Sequence, residues 1–573
     1  MYDWQSDATA VPNHHEGSTQ FPDLAVRTRS FRKGRGARML AQPDLIIWGS
    51  RIRTLDPDLP ACTAVAIKDG LIAATGDDDT IRAMRGPGTR MVDGRDTAFV
   101  PGLTDSHIHP LMGTIRTQGA DLFDAMSLDD IRGRLFNERE HVGPQSWIKG
   151  WGLHYEPFEE TGIRGDLFDS VAGGQPMLLE FFDGHTALAN RTALNRAGIH
   201  GPIAFDEEAT VVCVDGVPTG ELQEWAAMRL VQDVVPTADP DTHYRWFRES
   251  FRRFSEVGLT AIHVMDGTPD ELAVYRRLEE KGDLTCRVIV PLWQQPDTTI
   301  AEMRDQLPFR DDRGRLWRCG AAKFFIDGVI ETGTAWLVEP DTKGQGLHPF
   351  WPEPERYSEA VALFAGAGFQ CITHAVGDRG VQAALDAYEA AGHTPGIHHR
   401  IEHIELVQEQ DVPRFSELGV VASMQPLHMA AARADGSDEW AARVGPERTV
   451  AAFRAQTLRS SGAILALGSD WMVAPFDPRL GMAWARLRRA PRLLEMPPRA
   501  GDQALTAIQA LEGYTTGAAA AVSDDAVAGR IKPGYRADLT GFSADPVDTD
   551  ADALADLSIV MTIVDGRITH EAR

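Results

Sequence analysis

A chain of 573 residues with 43% hydrophobic and 24% charged residues is long enough for more than one domain and has a globular composition. Its formal net charge of −26 argues against nucleic-acid binding, because phosphate contacts need clustered Lys and Arg, and it does not favour an anionic substrate. Five scattered cysteines without a Cys-x-x-Cys pair argue against a disulfide framework or a thiolate metal site and fit a reducing compartment. No run of about 18 apolar residues suggests a membrane span. The first residues lack the apolar stretch of a signal peptide, so a cytoplasmic location is expected.

Met1 to Arg38 is polar and rich in Arg beyond Arg27. Residues 1–42 therefore read as a disordered extension, with Met1 and Met39 both open as the start. Residues 44–74 give short apolar runs, including Ala64–Ile67 and Leu71–Ala73 on either side of the hairpin signal Lys68-Asp69-Gly70. A matching pattern returns only at the far end, in Leu539–Phe542 and Val560–Val564. Neither end has enough strands to bury a sheet face. Residues 43–98 and 527–573 are thus expected to build one small β-sandwich from both termini.

Across residues 99–526, strand-like runs alternate with helical stretches, the pattern of a parallel α/β architecture. Eight runs end near His107, His263, Trp293, Asp327, His374, His403, Gln425 and Asp470, which predicts a (β/α)8 TIM barrel. The gap between the first two is too long for one crossover. Residues from about 119 to 250 should hold an inserted α/β subdomain, with strands near Trp147–Trp151 and Met177–Phe182. A doubly wound sheet is the alternative, but no Gly-x-Gly-x-x-Gly turn follows the first strand.

His107 and His109 stand two apart at the end of the first run, so both rings point to one face and can present two neutral imidazoles to one ion. Lys323 lies in the fourth run, His374 ends the fifth, His403 the sixth and Asp470 the eighth. In a TIM barrel these strand ends converge on one face. Local hydrogen bonding explains any single buried histidine, but not four histidines and an aspartate placed in this way.

The chain resembles the amidohydrolase superfamily, in the YtcJ-like branch that includes N-substituted formamide deformylases. The motifs that carry the resemblance begin with Pro101-Gly102-Leu103-Thr104-Asp105-Ser106-His107-Ile108-His109, Asp183-Gly184-His185-Thr186-Ala187-Leu188-Ala189-Asn190 and Lys323-Phe324-Phe325-Ile326-Asp327-Gly328. They continue with His374-Ala375-Val376-Gly377-Asp378-Arg379, Arg400-Ile401-Glu402-His403, Met424-Gln425-Pro426-Leu427-His428, Gly468-Ser469-Asp470-Trp471 and the tail from Gly529 to Leu539. The resemblance implies a metal-dependent hydrolase with its site at the barrel mouth. It implies one ion on His107, His109 and Asp470, a second on His374 and His403, and a carboxylated Lys323 (N6-carboxylysine) bridging them. Physics agrees about the lysine: an ammonium about 4 Å from a divalent ion costs several kcal/mol even at an effective dielectric near 20, so Lys323 must be neutral, displaced or converted to an anion. A lysine that reaches solvent or pairs with Asp327 is the plain alternative.

In this reading Asp470 takes a proton from the attacking water and passes it to the leaving nitrogen, with His403 or His263 helping to polarise the carbonyl. His185 and Asn190 reach over from the insertion, unless they serve only a turn or a helix cap. Gln425 and His428 line the pocket, and Trp471 adds to an apolar wall with Trp151, Phe181, Phe182 and Trp336. Glu331 and Thr332 stand where relatives often show a Ser-x-x-Arg-like stretch, a departure expected to change substrate contacts. The expected reaction is hydrolysis of a non-peptide C–N bond in a small amide, formamide or cyclic amide. The cofactor is one or two divalent ions, with zinc the first candidate. A decarboxylase, an ester or lactone hydrolase and a metal-free binding homologue are the alternatives. The expected partner is a small molecule, not nucleic acid or membrane, and a homodimer is an open assembly.

Overall fold

The computed structural model describes residues 42–182, 184, 186–205, 209–431 and 438–572. The expected N-terminal extension therefore lies almost wholly outside the described residues, as does His185. Eight parallel strands stand side by side in chain order: Leu103–Ile108, Leu259–Val264, Arg287–Trp293, Trp317–Phe325, Gln370–Ala375, Arg400–His403, Val421–Met424 and Leu465–Leu467. A parallel bridge between Ile108 and Trp471 joins the eighth strand to the first. Asp470 N–H donates to His107 O at 2.7 Å and His109 N–H to Trp471 O at 2.8 Å across the same seam. The expected (β/α)8 barrel is thus the fold. Its strands are apolar runs because both faces are covered.

The seam explains the polar first strand, buried at all six positions. Asp105 Oδ1 accepts from Ser469 N–H and from His107 N–H, both at 3.0 Å. Gly468 lets the two strands approach: a Cβ there would lie 2.4 Å from His107 N.

Residues from both termini share a six-stranded sheet, ordered Arg567–Glu571, Ile559–Val564, Leu539–Phe542, Ala98–Pro101, Arg51–Arg53, Ala61–Cys62. A four-stranded sheet of Leu71–Gly76, Ala64–Lys68, Leu45–Trp48 and Arg90–Asp93 accompanies it. Their shared core includes Ile47, Val65, Ile67, Phe99, Leu539 and Ile563. Thr540 Oγ1 donates to Gly258 O and Thr562 Oγ1 to Ser255 O, both at 2.7 Å, and Arg287 pairs with Asp538 at 2.7 Å. These contacts fix the six-stranded sheet to the turn before the second barrel strand and to the start of the third.

The long gap holds a separate six-stranded sheet running from Ala120–Asp121 to Val217–Gln223. The helix Pro240–Glu256 begins within the expected insertion but belongs to the barrel, because Phe247, Phe251 and Phe254 join the main barrel core. Among the described residues no helix is long and apolar enough to cross a membrane.

Trp471 corrects one expectation. It is 4% exposed and packs edge-on against Phe254 at 5.5 Å and Phe476 at 5.2 Å, over Gly113, where a Cβ would come within 2.5 Å of the ring. Just beyond the eighth strand, Asp470 faces the site while its neighbour goes into the surrounding core. Trp471→Ala should lower the unfolding free energy by about 3–5 kcal/mol, the range for losing a large buried aromatic, seen as an earlier urea midpoint. A wild-type midpoint would place the ring outside the core.

Candidate metal centre and active site

Asp470 sits at the centre of the strand ends. Its Oδ1 lies 3.4 Å from His107 Nε2 and 3.0 Å from His109 Nε2. Its Oδ2 lies 3.3 Å from His428 Nε2 and 3.9 Å from His403 Nδ1. One carboxylate thus serves two groups of potential ligands, His107–His109–Asp470 and His403–His428–Asp470, each with its donor atoms within 4.8 Å of one another. Burial pushes the Asp470 carboxyl up, but His107, His109 and His428 outweigh it and hold the group well below the usual carboxylate range.

The backbone is bent to achieve this. His403 has φ +75° and Asp470 φ +60°, left-handed conformations that side-chain-bearing residues rarely adopt and that collect at functional sites. At His403 the turn out of strand geometry lets two successive residues, Glu402 and His403, both serve the centre.

The donor set fits a divalent cation. His107 Nε2, His403 Nδ1, His428 Nε2 and Asp470 Oδ1 are buried without a hydrogen bond from the chain. Buried polar atoms normally find partners, and these imidazole and carboxylate atoms, shared between two neighbouring groups, are the donor types that a borderline divalent ion takes.

His374 lies beside the centre, next to His403. It is stacked on Phe325 at 4.4 Å and lies 4.3 Å from the His403 ring, but its Nε2 is 3.1 Å from Gly328 O. With Nε2–H donating to that carbonyl, Nδ1 is left as the free lone pair of His374, and His428 is a further imidazole against Asp470. Burial lowers the His374 pKa to about 3. It also works against a charge on His428, yet the nearby carboxylates of Asp470 and Glu405 raise that imidazole to about 10.

Lys323 is fully buried and its Nζ has no hydrogen bond. Burial lowers its pKa to about 8, against the pull of Glu402 and Asp470. Its Nζ stands 4.8 Å from the centre of the Phe325 ring. Ala321, on the same strand face, packs with Met265 and Ile372 inside the barrel, while Ala322 and Phe324 join the outer core. Lys323 therefore points inward and does not reach for solvent. The alternative partner, Asp327, is spent on the N–H groups of Trp336, Val376 and Gly377 at 2.8–3.0 Å.

Support residues that the sequence did not single out hold the ligands. Glu402 Oε2 accepts from His107 Nδ1 at 2.6 Å, which leaves Nε2 as the free lone pair. Arg400 Nε donates to Glu402 Oε1 at 2.6 Å, and its remaining nitrogens reach Glu402 Oε2, Ser106 O, Ser423 Oγ and His263 Nδ1. Asp266 stands 3.9 Å from His109 Nδ1 and accepts from Met112 N–H at 2.8 Å. Glu405 takes Trp440 Nε1–H at 2.6 Å and lies 3.6 Å from His428 Nδ1. The signal for Glu402 was the two-residue spacing Arg400-x-Glu402, which puts opposite charges on one strand face. Asp266 and Glu405 follow strand ends by two residues and carry no comparable pattern.

The remaining candidates divide. His263 is corrected from substrate contact to support, because its Nδ1 accepts from Arg400 at 3.0 Å inside the barrel. Asn190 is corrected to a cap: Oδ1 accepts from Met177 and Ala193 N–H at 3.0 Å and Nδ2 donates to Gln175 O at 2.9 Å. Glu331 is half-buried at the edge of the centre, raised to about 7 by burial and then by Glu405. Gln425 is buried at the end of the seventh strand with neither amide atom hydrogen-bonded. Of the expected apolar wall, Phe181 belongs to the core of the inserted sheet, Phe182 is stacked on His154, and Trp336 carries Arg379. Thr332 bonds with Thr334.

Comparison with known proteins agrees with this architecture. The chain is 28% identical over 555 residues to YtcJ of Bacillus subtilis (strain 168), covering 92% of this chain and 99% of that one. It is 25% identical over 549 residues to the N-substituted formamide deformylase of Arthrobacter pascens, covering 93% and 99%. The crystal structure of an uncharacterized metal-dependent hydrolase from Pyrococcus horikoshii shares the fold, with a TM-score of 0.71, 22% identity and coverage of 88% and 99%. The sequence profile of the amidohydrolase family matches residues 90–570. That match begins before the first barrel strand, ends within the last strand of the terminal sheet and takes in every residue of the centre: the chain belongs to the amidohydrolase family.

Proposed function

We propose that this chain is a metal-dependent hydrolase of a non-peptide C–N bond in a small amide, with Asp470 as its acid–base group. The observation that carries this reading is one ionised carboxylate flanked on each oxygen by two imidazole nitrogens. His107, His109 and Asp470 would hold one divalent ion, zinc by donor preference, and His403 and His428 a second through the other oxygen of Asp470. Such an ion lowers the pKa of water towards about 7 and polarises a carbonyl. Similarity to the formamide deformylase supports a C–N bond over an ester or a carboxylate as the bond cleaved.

The protein's own groups then have defined tasks. Asp470, kept ionised, accepts the proton of the attacking water and delivers it to the leaving nitrogen, which must be protonated to depart as an amine. Glu402 holds His107 in the tautomer that leaves Nε2 as a donor of electrons. Lys323, with its pKa lowered to about 8, keeps a share of neutral amine at neutral pH. That amine can add carbon dioxide, forming an N–C bond and losing one proton, to give an anionic carbamate in place of an ammonium next to the ions.

Asp470→Asn should keep the fold and much of the metal yet lose about 10²–10⁴-fold in turnover, the range for removing an acid–base group. Steady-state rates against a small-amide library, with metal content measured in parallel, test this. Wild-type turnover in metal-loaded Asp470→Asn would return the residue to a structural role. Lys323→Ala should lose metal and activity, and short carboxylic acids should restore part of both by placing oxygens where the carbamate would put them. Full activity in the unrescued variant would remove Lys323 from the mechanism.

A further inference from the structure

Six rings close a circuit around the centre. His107 lies 5.4 Å from His109, His109 6.4 Å from Trp293, and Trp293 4.8 Å from Phe325. Phe325 then meets His374 at 4.4 Å, His374 meets His403 at 4.3 Å, and His403 returns to His107 at 4.7 Å. Four of the six are imidazoles. Trp293 and Phe325 end the third and fourth barrel strands, with Phe325 held between Trp293 and His374 and its edge toward Phe350. Neither is fully buried, as a ring serving only the core would be. Beyond them Phe350 lies 6.2 Å from Phe325 and is 42% exposed. Aromatic surface therefore runs without a break from the ion-binding groups to solvent.

The opposite flank is acidic. Glu405 stands 3.6 Å from His428 there. An anionic arm would be repelled on that flank, while a flat, uncharged arm gains by covering the rings opposite.

We infer that Trp293, Phe325 and Phe350 form a subsite for an aryl or aralkyl substituent, so that the substrate class is a neutral amide with one flat apolar arm. The inference rests on the hydrolase reading, since the amide group of such a substrate lies at Asp470 while its arm lies along the rings. Offset stacking on this wall would orient the carbonyl before any bond changes, which is where binding energy from a remote group helps the reacting one.

Two hydroxamic acids separate the subsite from the ion site. Acetohydroxamate and phenylacetohydroxamate share a metal-chelating head and differ by one phenyl ring. Titration calorimetry on zinc-loaded protein should show the phenyl compound binding about tenfold tighter or better, the scale of one well-placed aromatic contact together with its buried area. That ratio should fall towards one in Trp293→Leu and fall in Phe350→Ala, whose exposed ring can be removed without endangering the fold. Equal binding of the two compounds to the wild type, or a ratio kept in both variants, would overturn the subsite alone. If the zinc-loaded wild type bound neither compound, the hydrolase reading would fall and the subsite with it.

Discussion

A guanidinium and a carboxylate without any solvent exposure, Arg400 and Glu402, lie directly beneath the candidate centre. Taking two such charges out of water costs several kcal/mol per ion before their attraction is counted, so the pair persists only because its hydrogen-bonding capacity is met. Arg400 reaches the first strand through Ser106 O, the second through His263 and the seventh through Ser423, while itself standing on the sixth. Four of the eight strands are held in register by one side chain. Burial alone would push the Glu402 carboxyl up, but Arg400 and His107 hold it well below the usual carboxylate range. The negative charge is thereby kept against His107 Nδ1, and the geometry of the first ligand group follows from it.

The rest of the architecture frames this interior. Asp105 and Gly468 let the eighth strand close on the first, which brings Asp470 opposite His107 and His109. The six-stranded sheet built from both termini braces the turn into the second strand, and the inserted sheet follows the helix that starts after His109. The strain at His403 and Asp470 is tolerated because the seam and the buried ion pair leave the backbone little alternative.

Much of this was legible in the sequence because parallel barrel strands are short apolar runs, and the residues at their ends stand out as exceptions. His107, His109, His403 and Asp470 were visible for that reason. Trp471 misled because the seam that directs Asp470 inward sends its neighbour outward, and sequence does not show where a barrel closes. Asn190 and His263 misled because polar residues inside motifs also cap helices and fill barrel interiors. His428 was read only as a pocket residue because its ion pair with Asp470 is set by a loop conformation that strand patterns do not encode. The aromatic side of the mouth was invisible for a similar reason: Trp293, Phe325 and Phe350 are far apart in sequence, and only the barrel places them in line.

The central claim is that buried groups of this chain form an ion site whose geometry depends on Glu402. Chelator-competition titration of zinc into the wild type and Glu402→Gln tests it most directly, since the amide keeps the shape but loses the charge that fixes His107. The account predicts at least one bound equivalent in the wild type and about 10–100-fold weaker binding in the variant, the usual cost of losing a ligand's outer partner. Failure of the wild type to bind zinc, or equal affinity in the two proteins, would contradict it.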